Sequence, residues 1–146
     1  MSAKIKGGGK LAAHFSKIVA NVKKSDGVKV GFFPDAAYPD GTPVAQVALE
    51  NEYGIGVPVR PFFRGMIADS SPLWGKKLGV ILEATDYDTN AAFGLMGENM
   101  KDALTDSIVA FSSPANSAAT VEKKGFNDPL VDTGHMGGST GYEVNE

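Results

Sequence analysis

Residues 10–32 read KLAAHFSKIVANVKKSDGVKVGF, and two different periodicities meet in that stretch. Leu11, Phe15, Ile18, Val19 and Val22 recur at helical spacing, while Lys10, Lys17 and Lys24 fall at seven-residue steps on another stripe. The pattern predicts an amphipathic helix over Lys10–Lys24 that buries one side. Ser25-Asp26-Gly27 ends it, and Val28-Lys29-Val30-Gly31-Phe32 then alternates apolar with small or polar residues, as a half-buried strand does. The expected class is α+β: a small antiparallel sheet packed against this N-terminal helix and two or three further helices, with an extended N-terminal arm and C-terminal segment.

Upstream, Met1–Gly9 is small and basic and contains Gly7-Gly8-Gly9, which predicts a flexible basic arm. It is no phosphate loop, because Lys10 is followed by Leu11 and no strand precedes it. Downstream, Pro34–Thr42 holds two prolines, two aspartates and a glycine and reads as a loop. Thr42 and Pro43 read as the N-cap and first residue of a helix that stops at Gly54, with Val44, Val47, Ala48 and Leu49 toward the core. Ile55–Arg60 then leads into Pro61-Phe62-Phe63-Arg64, where adjacent rings must diverge: one anchors the core and the other reaches toward a neighbour.

Ser71-Pro72 repeats the cap-and-proline signal and is expected to start a helix bearing Trp74, Leu78, Ile81 and Leu82. A further helix, Thr89–Phe111, places Met96, Met100, Ala103, Leu104, Ile108 and Phe111 on one side. Ser117–Lys124 forms a short helical piece, Asp128-Pro129 punctuates the segment after it, and Tyr142-Glu143-Val144 supplies the last strand.

At 146 residues, with 42% hydrophobic and 21% charged residues, the chain fits an arm over residues 1–9 and one domain over 10–146. No apolar run approaches the roughly 18–20 residues of a membrane span, and Met1–Lys10 lacks the apolar stretch of a secretory signal, so a soluble protein made in the cytoplasm is expected, with no membrane partner. Without cysteine there is no disulfide frame, thiolate zinc site or cysteine nucleophile. His14 and His135 lie far apart, so a histidine-based metal site is not expected, and His14 reads as a boundary residue on the first helix.

Two motifs invite a chemical reading and fail on context. Val131-Asp132-Thr133-Gly134 matches the catalytic loop of aspartic proteases, but the 12 residues after Gly134 leave no room for a flap. Capping of a short helical turn by Asp132 or Thr133, with Asp132 near His135, is the plainer reading. Asp86-Tyr87-Asp88-Thr89-Asn90 resembles half a calcium loop, yet Ala91 stands where the turn needs glycine and Gly97 where a bidentate glutamate belongs. A solvated turn between helices is expected there, and Gly94-x-x-Gly97 permits a close approach. No catalytic constellation emerges, so no enzyme activity, cofactor or metal is expected.

Charge is strongly polarised. Up to Lys29 there are seven lysines against Asp26 alone, +6, and the remainder carries −9. Such a dipolar surface suits contact with nucleic acid or docking onto an acidic neighbour, including another copy of the same chain.

Three segments, taken together, resemble the tail-completion (neck) proteins of long-tailed bacteriophages. They are Tyr38-Pro39-Asp40-Gly41-Thr42-Pro43-Val44-Ala45-Gln46-Val47-Ala48, then Asn51-Glu52-Tyr53-Gly54 with Pro58-Val59-Arg60-Pro61-Phe62-Phe63-Arg64, then Lys124-Gly125-Phe126-Asn127-Asp128-Pro129-Leu130-Val131-Asp132-Thr133-Gly134. The resemblance implies a structural virion subunit, assembled in the host cytoplasm, that forms a ring of six in the neck. Its partners would be the head-closure or adaptor protein, the tail terminator or tail tube protein, and DNA passing through the lumen without sequence recognition. A tail terminator or minor head protein is the alternative within the virion, and a small DNA-binding protein using its basic arm the alternative outside it.

Arginine and aromatics are enriched at interface cores, which makes Arg60, Phe62, Phe63 and Arg64, with Tyr38, the candidate interface residues. Lys4, Lys6, Lys10 and Lys17 are the candidates to touch a neighbour or DNA. A ring of unlike contacts needs two complementary patches per subunit, and the basic segment beside the acidic remainder is one way to provide them.

Overall fold

A computed structural model describes residues 6–112, 115–125, 130 and 134–146. In chain order the elements are α1 (Gly8–Val22), β1 (Gly27–Phe32), α2 (Val44–Tyr53), α3 (Phe62–Ala84), α4 (Thr89–Ala110), α5 (Ala118–Lys124), α6 (His135–Gly138) and β2 (Thr140–Asn145). The class is helices with a two-stranded antiparallel sheet, in which Gly27 pairs with Asn145 and Phe32 with Thr140.

The sheet does not lie on the N-terminal helix as expected; it packs against α4. Gly97 explains the close fit, since a Cβ there would stand 2.3 Å from the Tyr142 ring. The close approach foreseen at Gly94-x-x-Gly97 is thus between helix and strand, and it uses Gly97 alone, with open space at Gly94. The Oγ1 atoms of Thr105 and Thr140 lie 2.7 Å apart and pin the start of β2 to the same helix.

The core gathers Val44 and Ala48 from α2, Phe62 and Met66 from α3, Leu104 and Ile108 from α4, and Leu130 and Met136. Phe32 of the sheet meets Phe62 edge to face at 6.4 Å. Leu49, expected to turn inward, is 51% exposed. α2 begins one residue later than the cap signal suggested. Pro43 is the extended residue before it, and the Val44 N–H donates to Ala36 O at 3.0 Å, so no side-chain cap is used. Thr42 instead belongs to the preceding turn, its N–H donating to Asp40 Oδ1 at 2.9 Å.

The helix expected to start at Ser71-Pro72 starts at Phe62 and runs through Pro72. Proline there removes one hydrogen bond, to the Ala68 carbonyl. Both residues lie on the exposed side, where the freed oxygen is open to solvent, and the helix start is secured elsewhere, by Glu52 as described below. α5 begins as expected behind Ser117, whose Oγ accepts from the Thr120 N–H.

The sharpest departure is α1. It begins at Gly8, inside the expected arm, and buries none of its residues. Leu11 and Phe15 are each 56% exposed and Val19 50%. The amphipathic pattern is real, but its apolar side faces solvent.

Candidate interaction surfaces

The segment Asn51–Arg64 folds into a lock between α2 and α3. Gly54, in the left-handed region at φ 73°, ends α2 and turns the chain so tightly that a Cβ there would meet Val59 at 2.5 Å. The return strand brings the Arg60 N–H to Asn51 O at 2.7 Å, and Arg60 Nη1 donates to Asn51 Oδ1 at 2.8 Å. Glu52 then takes over the start of α3. Its two carboxylate oxygens accept the backbone N–H groups of Phe63 and Arg64 at 2.9 and 3.1 Å, and Oε1 also accepts from Arg64 Nε at 2.7 Å. A carboxylate at a helix N-terminus satisfies otherwise orphaned donors and meets the positive end of the helix dipole. The Arg64 guanidinium completes the lock over the Tyr53 ring, 4.9 Å from its centroid.

This arrangement places the expected interface residues. Arg60 is buried and bonded inward to Asn51, and burial lowers its pKa from the ordinary arginine value. Phe62 is the core ring. Phe63 is half-buried against the same core, and Arg64 is half-exposed beside Glu52. Tyr38 stacks on His135 at 4.8 Å between centroids, and His135 Nε2 lies 2.7 Å from Ala37 O. The pairing of His135 with Asp132, the capping role of Asp132 or Thr133, and Lys4 lie outside the described residues.

Among the described residues, the hydrogen bonds and ion pair that tie α1 to other elements gather at its C-terminal end, mostly on the turn between α3 and α4. Asn21 Nδ2 donates to Asp86 O at 2.9 Å, and the Ser25 N–H donates to Thr89 Oγ1 at 2.9 Å, which in turn donates to Asn21 O at 3.1 Å. Lys24 pairs with Asp88, and Ser25 Oγ donates to Asn145 O. Asp88 also caps α4 by accepting from the Ala91 N–H. The hydrogen bond from Lys24, followed by that from Ala91, holds the Asp88 carboxyl below the usual carboxylate range. The half-calcium-loop motif is therefore the clamp of α1, built around Asp86 and Tyr87 with φ of 52° and 59°. From it the helix projects with Lys6, Lys10, His14 and Lys17 exposed.

Three of the surface grooves among the described residues have apolar floors. One, of about 300 Å³, lies between α2 and α3 beside Leu49, Tyr53, Phe63 and Ile67, with Glu52 and Arg64 at its edge. A second, of about 540 Å³, lies where the start of α3 meets the end of α4 and carries Asp69 and Asp106. A third, of about 490 Å³, holds Leu73, Val80 and Leu95 between Lys76 and Lys77. Sequence reasoning missed all three, along with the roles of Asn51 and Glu52. The tight Asn-Glu-Tyr-Gly stop before Arg-Pro was the one available signal for the lock.

Among the described residues no group of three or more His, Cys, Asp or Glu side chains is placed to hold a metal ion, and no helix is long and apolar enough to cross a membrane. No protein-family model, curated protein or solved structure matches the chain.

Proposed function

We propose that this chain is a structural subunit of a tailed-bacteriophage neck, one of a six-membered ring that joins the head-closure proteins to the tail and lets DNA pass. The observation that carries the reading is α1: a helix fixed at one end, with a continuous apolar face open to solvent, is what a subunit completed by its neighbours presents. The resemblance of the Tyr38–Ala48, Asn51–Arg64 and Lys124–Gly134 segments to tail-completion proteins supplies the assembly. In this reading the subunit acts by shape and contact, and its partners are copies of itself, the head-closure or adaptor protein and the tail terminator or tube.

The test is joining in vitro. Filled heads and finished tails from particles that lack the protein should stay apart and should join on addition of the purified chain. Infectious, fully joined particles formed without it would overturn the reading. The exposed Lys10 and Lys17, which have no ion-pair partner among the described residues, favour a second reading as a DNA-binding protein. That reading requires tight duplex binding by the free chain that falls steeply with salt, whereas a ring component binds free DNA weakly.

A further inference from the structure

We infer that the apolar face of α1 docks into the acidic groove between the start of α3 and the end of α4 of a second copy of this chain, a head-to-tail contact. Charge selects the groove. From Gly8 to Lys24 the chain carries four lysines and no carboxylate. The groove beside Leu73 and Val80 is flanked by Lys76 and Lys77 and repels such a helix. In the groove between α2 and α3 the carboxylate of Glu52 is already held by Arg64. The remaining groove, between the start of α3 and the end of α4, has a floor of Met66, Ala103 and Phe111, and its Asp69 and Asp106 have no ion-pair partner among the described residues. With Leu11 and Phe15 seated on that floor, Lys10 and Lys17, about 120–140° round the helix, reach back along their aliphatic stems to the acidic rim.

Distance makes the contact intermolecular. The clamp at Asn21 and the groove lie at opposite ends of the α3–α4 hairpin. Along α1, Leu11 stands about 15 Å from Asn21, while the nearest groove residue on α4, Ala103, is about 21 Å from Thr89 at the turn. A helix swung back onto its own hairpin falls short. Unlike patches at opposite ends of one subunit give a heterologous contact, which closes into a ring or runs on as a filament. The inference rests on the ring reading above for closure, and on this geometry for the contact itself.

Because the chain has no cysteine, single substitutions give a clean cross-linking test. Val19→Cys on α1 and Ala110→Cys at the groove, mixed in equal amounts and oxidised, should form a mixed disulfide dimer faster than either variant alone or a Glu146→Cys control. Phe15→Asp, and separately the double change Asp69→Lys with Asp106→Lys, should each weaken self-association in sedimentation equilibrium about tenfold or more. These positions are exposed, so the fold is retained. The two defective chains mixed together should form a dimer that cannot grow, because one still offers its helix and the other its groove.

Three outcomes overturn the inference: no cross-link above the control, Val19→Cys chains that pair fastest with each other, or blockade of Val19→Cys labelling by duplex DNA in place of a second copy. Heads and tails that need the protein despite a failed cross-link would sink the seam and leave the neck reading standing. A specific cross-link in a protein that particles do without would do the reverse.

Discussion

Phe62 and Phe15 each sit on the apolar stripe of a helix, yet one is 1% exposed and the other 56%. Around Phe62 the polar groups of the lock are tied to one another: Asn51 to Arg60, Glu52 to the first turn of α3 and to Arg64. Around Phe15 the hydrogen bonds and ion pair to other elements are, among the described residues, at the far end of the helix, in the clamp formed by Asn21, Lys24 and Ser25. The contrast separates residues that make the fold from residues that the fold leaves open. It also inverts a natural expectation, since the arginine and aromatic cluster that looks like an interface is largely a device of the fold, and the plain helix before it is the open surface.

The comparison breaks most visibly at Phe62. Phe62→Ala should cost about 3–5 kcal/mol in denaturant unfolding, the usual range for a fully buried ring. Glu52→Ala comes next, at about 2–3 kcal/mol, because it strips the start of α3 of its acceptor and leaves donors unserved. Thr89→Val should cost about 1–2 kcal/mol by removing the two hydrogen bonds that Thr89 makes in the clamp, and it should speed amide exchange within α1 more than within α4. Acid probes the same clamp. The Asp88 carboxyl titrates below its unfolded value, so its contribution is fully present above the ordinary carboxylate pKa and is lost as pH falls through the lowered one. NMR of α1 across that range should show the helix end loosening while the lock stays ordered. Smallest of all, Phe15→Ala should change the stability of the isolated chain by no more than about 0.5 kcal/mol while impairing association.

Much of the architecture was readable from local chemistry. Gly54 ended α2 as its glycine predicted, Ser117 capped α5, and the alternation in Val28–Phe32 and Tyr142–Val144 found the two strands that pair. Pro72 misled because Ser-Pro describes what a helix start favours, while a long helix can also carry a proline in its interior at the cost of one hydrogen bond, and the dipeptide alone does not tell the two apart. Periodicity found α1 but not its surroundings, because a 3.6-residue repeat states that a face is apolar and is silent on whose core receives it. The lock stayed hidden for a different reason. Glu52 acts across the connection on Phe63 and Arg64, a relation with no fixed spacing that becomes visible only when Gly54 folds the chain back.

The pairing of β1 with β2 has a consequence for how the protein is made. Gly27 leaves the ribosome long before Asn145, and α2, α3 and α4 are all synthesised between them. Throughout that interval β1 travels as a strand with no mate, next to a helix whose greasy side is also uncovered. Nascent chains on crowded polysomes would carry two adhesive elements side by side, and rapid synthesis of the stretch between the strands or a chaperone resting on residues 8–32 would guard the yield.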